Sequence, residues 1–301
     1  MPATSSRPSP RHLSPRRLLG AALLIALALG LQMGCASLDE RQRSWIFQPS
    51  DRTWAGGLAA AEGMQDVWIG FDAPAADDNK AREPVKLHGL WLPQADAGAP
   101  VLLYLHGARY DVRGSAPRMR RMHELGFSVL GVDYRGFGRS TASLPSERSA
   151  AQDARAAWDW LAAQHPQSRR FIFGHSLGGA IAVQLATEVG DEAGLIVEGS
   201  FTSIPDVVSS FRWGWLPVSP FITQRFDAVS RVAEVGSPLL VVHGSDDALI
   251  PPALGQGLYE RAREPKRFVL VPGGSHHNTN AVGQPLYRQA LAELFGLDAT
   301  P

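Results

Sequence analysis

The chain has 301 residues, is 45% hydrophobic and 19% charged, and sets 29 Lys+Arg against 29 Asp+Glu for a formal net charge of +0. That much apolar content can bury one large core, and no basic excess is left to neutralise phosphates, so nucleic acid is excluded as an expected partner. A single cysteine rules out an intramolecular disulfide; with no Cys/His group at zinc spacing and no phosphate-cradling glycine loop, neither metal nor cofactor is expected.

The first seventeen residues hold Arg, Pro and Ser and no acid, and Arg16 and Arg17 precede an apolar run from Leu18 to Leu31. That run is short for a membrane span and suits a secretory leader. The only cysteine, Cys35, follows Gly34 where the modified cysteine of a bacterial lipoprotein stands, although Gln32 occupies a position usually held by leucine. Lipid attachment at Cys35 is the expectation, with ordinary cleavage nearby or an uncleaved anchor as the alternatives. It carries with it a cell-envelope address and a membrane partner through the N-terminal anchor. Residues 1–35 are thus read as leader, 36–64 as a linker and 65–298 as one domain. The linker's Trp45, Ile46, Phe47 and Trp54 are available to dock on that domain.

The stretches Gln65–Phe71 and Lys86–Leu92 are predicted strands, and the Asp/Ala/Pro-rich piece between them suggests a hairpin at a sheet edge. Short apolar runs follow at Val101–Leu105, Ser128–Val132, Arg170–Phe173, Leu195–Val197, Leu239–Val242 and Arg267–Val271, as expected of strands covered on both faces. Helical patterns lie between them at Ala116–Leu125, Glu147–Gln164, Leu177–Val189 and Leu286–Phe295. Alternation of this kind predicts an α/β fold: a mostly parallel, eight-stranded sheet with helices on both faces. Residues 202–236 break the alternation and are aromatic-rich.

Chemistry concentrates at three strand ends. Phe171-Ile-Phe-Gly-His-Ser-Leu-Gly-Gly179 places Ser176 between Gly174 and Gly178, after a strand and before a helix. A turn that tight forces the serine into a strained backbone and needs small residues two before and two after it, where strand and helix approach. A nucleophilic serine needs a base, and the base an orienting acid. Adjacent aspartates, Asp246 and Asp247, follow the strand ending at Val242, and adjacent histidines, His276 and His277, follow the last strand. Both pairs fall at C-terminal strand ends, where ligands bind in open parallel sheets.

Together these residues resemble an α/β-hydrolase of the serine-aminopeptidase-like group, which also holds depalmitoylase-type hydrolases. Besides Gly-His-Ser-Leu-Gly, the resemblance rests on Tyr104-Leu-His-Gly-Ala-Arg109, Val132-Asp-Tyr-Arg-Gly-Phe-Gly-Arg-Ser140 and His243-Gly-Ser-Asp-Asp-Ala-Leu-Ile-Pro251, and it covers roughly residues 65 to 296. It implies Ser176 as nucleophile and Asp247, four before Pro251, as acid. Matching Gly274-Ser-His-His-Asn278 to the family pattern selects His277 as base, whereas counting three residues on from Gly273 selects His276; His277 is carried forward. The resemblance further implies an oxyanion hole from the Ala108 and Leu177 N–H groups. It also implies a short cap at about 202–236, where Trp213, Trp215, Leu216 and Phe221 would line an acyl pocket. The alternative is that these aromatics belong to an ordinary core helix. His106 and His175 read as local backbone partners and Asp133 as a loop organiser. Arg109 could meet an anionic substrate group or be an ordinary exposed or salt-bridged arginine.

The expected activity is hydrolysis of a carboxylic ester or thioester of a small or lipid-like acyl substrate through an acyl-enzyme. A serine aminopeptidase and a non-catalytic envelope protein using the fold as a binding module are the alternatives. The first would need acids to grip a substrate amine, and Asp206 and Asp227 are isolated.

Overall fold

A computed structural model describes residues 34, 36–74, 81–211 and 214–297. The leader and Cys35 lie outside the described residues, as does Trp213. The chain divides into two compact units, 1–41 and 42–301. In the first, the described residues 34 and 36–41 are helical. Among the described residues no helix is long and apolar enough to cross a membrane.

The second unit is built on strands β1 (Gln65–Pro74), β2 (Arg82–Leu92), β3 (Val101–Leu105), β4 (Ser128–Val132), β5 (Arg170–His175), β6 (Gly194–Glu198), β7 (Leu239–Gly244) and β8 (Lys266–Val271). They form one eight-stranded sheet in the order β1-β2-β4-β3-β5-β6-β7-β8. The β1–β2 hairpin is antiparallel and sits at the edge, β2 pairs antiparallel with β4, and the remaining pairs are parallel.

Strand β3 shows why the centre reads as an unbroken apolar run. Leu102 and Tyr104 face one layer while Val101, Leu103 and Leu105 face the other, and all five are buried. Each fully buried leucine contributes about 2 kcal/mol of apolar transfer. The first layer is covered by α1 (Ala116–Glu124) and α6 (Gln284–Phe295) through Met119, Met122, Tyr287 and Leu291. The second is covered by α2 (Glu147–Gln164), α3 (Leu177–Val189) and α5 (Pro252–Arg261). Helix α2 starts where the Ser146 side chain caps the Ser149 N–H in a reciprocal capping box, and it buries Ala150, Ala154, Ala157, Trp158 and Leu161 at helical spacing. Helix α5 was not among the sequence expectations; it opens on Pro252, and proline at the first helical position gives up no hydrogen bond.

The start of the folded unit differs from the sequence expectation. The folded unit begins at Gln42 rather than residue 65. Phe47 is fully buried against Phe137 and Phe226, with ring centroids at 6.4 and 5.6 Å, and its carbonyl accepts the Arg109 N–H at 2.9 Å. The cap segment holds a helix of two turns, α4 (Ile204–Ser210), a 3-10 turn at Ser219–Phe221, and then a single helical turn at Ala228–Arg231 that runs into a 3-10 turn at Val232–Glu234.

Candidate active site

Ser176 stands between β5 and α3 with φ 55 and ψ −122, a conformation that L residues rarely adopt. The space around it explains the flanking glycines. A Cβ at Gly174 would collide with the Gly178 carbonyl and lie 2.6 Å from Gly179 Cα, while one at Gly178 would meet the Leu105 carbonyl and lie 2.6 Å from that of His106. The turn is held by the Ser176 N–H donating to the Glu198 carbonyl at 2.9 Å and by Ser200 Oγ donating to the Ser176 carbonyl at 2.8 Å. Although Ser176 is the N-cap of α3, its side chain makes no cap hydrogen bond. Its Oγ instead lies 3.0 Å from His276 Nε2.

The other face of that imidazole is held by Asp247, whose Oδ2 is 2.8 Å from His276 Nδ1. The Asp247 Oδ1 accepts the N–H groups of Leu249 and Ile250 at 3.0 and 2.8 Å, and His243 Nε2 lies 3.4 Å from Oδ2. Burial opposes ionisation of Asp247, but hydrogen bonds from His243, His276 and the Ile250 N–H hold its carboxyl well below the usual carboxylate range. Asp246 is exposed, and its carboxylate accepts the hydroxyl of its neighbour Ser245 at 2.7 Å rather than a histidine.

The histidine carried forward from the sequence is corrected here. His277 is exposed and stacks on Trp54, centroids 5.0 Å apart, while its neighbour reaches the serine. In the tight turn after β8, which opens at Gly273 with φ 69, consecutive side chains leave in different directions. Only the backbone path selects the one that points at Ser176. Burial and the charges of His276 and Arg118 lower the His277 pKa.

His175 has a role that local backbone pairing understates. Its Nε2 lies 3.1 Å from the carbonyl of His276, on a loop 101 residues away. Burial first, then the charges of Arg118 and His276, hold it well below the ordinary histidine value, so a neutral imidazole donates that bond and braces the loop. Asp133 organises its loop: Oδ1 accepts the Val112 N–H at 2.7 Å and Oδ2 lies 3.3 Å from His88 Nδ1.

A cavity of about 490 Å³ opens over Ser176 and is lined by Ala108, Leu177, His276 and His277. Neither the Ala108 nor the Leu177 N–H has a backbone partner among the described residues. Gly107 lets this strand end pass close by, since a Cβ there would lie 3.1 Å from Ser176 Cβ. The apolar lining comes from Trp45, Ile46, Phe201, Ile204, Val207 and Phe211. Three of the cap residues expected to line it do not: Trp215 and Phe221 are 73% and 65% exposed and Leu216 41%, and none of the three borders the cavity. They follow α4 in a stretch of turns and 3-10 structure, with no helical repeat to aim them inward. The core-helix alternative fails for them equally. Among the described residues no group of acidic, histidine or cysteine side chains could hold a metal ion.

A serine on a strained strand-to-helix turn at the end of the central strand β5, with an aspartate and a histidine brought to it by the loops after β7 and β8, is the arrangement of the α/β-hydrolase class, and the chain belongs to that family. The family model described as "Serine aminopeptidase, S33" matches residues 97–225. The chain is 34% identical over 268 residues to the uncharacterized protein Rv2307c of Mycobacterium tuberculosis, covering 87% of this chain and 89% of that one. It is also 34% identical over 227 residues to the lysophosphatidylserine lipase ABHD12 of Gallus gallus, covering 68% of this chain and 58% of that protein's length. Among solved structures, the esterase Pf2001 of Pyrococcus furiosus matches at a TM-score of 0.62 and 20% identity, covering 83% of this chain and 99% of that one; at that identity the likeness is one of fold.

Proposed function

We propose that the protein is a serine hydrolase that cleaves a carboxylic ester or thioester of a lipid-like acyl substrate. The observation that carries this reading is the continuous chain Ser176 Oγ–His276–Asp247, at 3.0 and 2.8 Å, at the floor of a largely apolar pocket. Ser176 Oγ attacks the acyl carbon and its proton passes to His276 Nε2. The ionised Asp247 fixes the tautomer and stabilises the imidazolium. The Ala108 and Leu177 N–H groups receive the oxyanion, aided by the N-terminus of α3. The imidazolium then protonates the departing alcohol or thiol, leaving an acyl-Ser176 ester. Water, deprotonated by His276, attacks that ester and releases the acid with the serine restored.

A relative named as a lysophosphatidylserine lipase and structural neighbours named as esterases support an ester of this kind. The aminopeptidase reading loses ground because no aspartate or glutamate lines the pocket among the described residues, so nothing there would grip a substrate ammonium. A binding module has no need of a strained serine held against a histidine. The deciding experiment is fluorophosphonate labelling of the protein beside its Ser176→Ala variant, followed by turnover of a short-chain aryl ester and an aminoacyl arylamide. Labelling lost in the variant, with ester cleaved and arylamide spared, is expected. A folded protein that takes no label would sink the hydrolase reading, and preferred arylamide cleavage would restore the peptidase.

We also propose that Cys35 carries a lipid that anchors the protein in the cell envelope. Incorporation of labelled palmitate that persists in Cys35→Ser would refute this.

A further inference from the structure

Next to the triad lies a buried ion pair to which the proposed chemistry gives no part. Glu198 ends β6, opposite His175 of β5, and is fully buried. One of its carboxylate oxygens accepts Arg118 Nε of α1 at 2.7 Å, and the other accepts the Tyr287 hydroxyl of α6. The Arg118 side chain is only 11% exposed. Burial opposes its charge, but the Glu198 charge more than offsets this and raises the guanidinium pKa. Burial and the same carboxylate push the Tyr287 hydroxyl well up, so it remains a donor. A buried pair of this kind is weak evidence for stability, because apolar side chains of similar volume often serve the fold as well or better. Its use lies in what it touches.

Both partners reach the site. The Glu198 carbonyl accepts the Ser176 N–H at 2.9 Å, so the residue that holds the elbow by its backbone holds Arg118 by its side chain. Arg118 Nη2 donates in turn to the His277 carbonyl at 3.4 Å, and His175 Nε2 donates to the His276 carbonyl at 3.1 Å. Two consecutive carbonyls of the loop after β8 are thereby tied to the serine side of the site, the base's own among them. On its other flank the loop is bonded to the turn after β7. There the Asp246 N–H donates to the Gly274 carbonyl at 2.8 Å and the Gly273 N–H to Ser245 Oγ at 2.9 Å. Those bonds tie the base to the acid, whereas His175 and Arg118 tie it to the nucleophile.

The proton transfer that this tie governs is steep in distance. A displacement of about 1 Å between nucleophile and base can cost about 100-fold in rate, and the gap here is 3.0 Å. Resting on the hydrolase reading, we propose that Arg118 and Glu198 are positioning residues: Glu198 carries the elbow on its carbonyl and Arg118 on its carboxylate, and Arg118, beside His175, sets the reach of His276 to Ser176.

The test uses the full-length protein and two variants. Arg118→Met/Glu198→Gln removes both charges and the bond to the His277 carbonyl, yet leaves an acceptor for Tyr287 and the backbone partner of Ser176. Arg118→Lys keeps a cation against Glu198 but lacks the second nitrogen that spans to the loop. Both should melt within about 5 °C of the unchanged protein. On a soluble aryl ester, kcat should fall by about 30- to 100-fold in the double variant and about tenfold in Arg118→Lys, with KM within about threefold. Fluorophosphonate labelling should slow in the same proportion. A crystal structure of the double variant should show Ser176 Oγ and His276 Nε2 more than about 3.5 Å apart while the elbow stays as it is. Folded variants with kcat within about threefold of the unchanged protein would overturn the proposal. So would an unchanged Ser176–His276 distance, or an activity loss that merely follows a fall in melting temperature. Should the double variant not fold, Arg118→Lys decides alone, since its ion pair is kept. If the unchanged protein neither labels nor turns over an ester, the hydrolase reading fails, and the crystal structure still decides whether the pair sets the distance.

Discussion

The strand-end edge that carries Ser176, Asp247 and His276 and the cap segment that follows β6 are neighbours built on opposite principles. At the edge, each functional group is held by several others: Asp247 by two backbone N–H groups and two histidines, and the Ser176 backbone by Glu198 and Ser200. Gly174 and Gly178 have no room for a single added carbon. In the cap, α4 makes contact through Ile204 and Val207, and beyond it Trp215 and Phe221 stand in solvent. An over-determined edge can hold a strained residue in one geometry, whereas the exposed cap stretch around Trp215 and Phe221 can change its surface without disturbing that edge.

Breaking the edge should have the largest consequences. His276→Ala is expected to lower kcat by about 10³-fold or more, while His277→Ala should stay within about tenfold. Steady-state rates on an aryl ester decide it, and the reverse order would return the base to His277. Next comes Gly178→Ala, whose methyl group would press into the Leu105 carbonyl. It should cost about 3 kcal/mol in denaturant unfolding or abolish folding; a neutral result would mean that the elbow is roomier than its geometry implies.

A smaller, pH-dependent effect should appear beside the edge, at His88. Burial alone would lower its pKa, but hydrogen bonds to Asp133 and Asp66 carry it above the ordinary value. A group raised in the folded state stabilises fully below its unfolded pKa, and that contribution is lost as pH rises through the folded value. His88→Gln should therefore destabilise the protein by about 1 kcal/mol at pH 6 and by less at pH 9. Melting curves at the two pH values would expose an error if the penalty grew with pH. The smallest effect belongs to the cap. Trp215→Ser and Phe221→Ser should each change stability by no more than about 0.5 kcal/mol and leave turnover of a soluble ester unaltered. A large loss of turnover would show that these rings reach the pocket after all.

Much of the edge was legible before any coordinates. The apolar runs of β3 to β7 announce strands covered on both faces, and the spacing of Gly174, Ser176 and Gly178 announces a turn too tight for side chains. The preference for Asp247 over Asp246 came from family resemblance; in the structure Asp247 is the one of the two that lies against His276. These are local properties: backbone conformation and neighbouring side chains decide them, and the chain spells them out in order. The start of the folded unit was less legible, because Ile46 and Phe47 are apolar residues in a polar stretch and only their partners, Phe137 and Phe226, tell docking from chance.

What the sequence by itself determined is the α/β sheet, the elbow serine and the strand ends that deliver acid and base. Burial of consecutive residues on both faces of a strand and steric exclusion at a turn act over a few residues. Only the tertiary structure decided which of two adjacent histidines meets Ser176 and which side chains border the pocket. Each of those depends on the direction in which a side chain leaves a loop and on partners up to about a hundred residues away, as with His276 and Ser176. Such partners meet only when the sheet brings its strand ends to one edge.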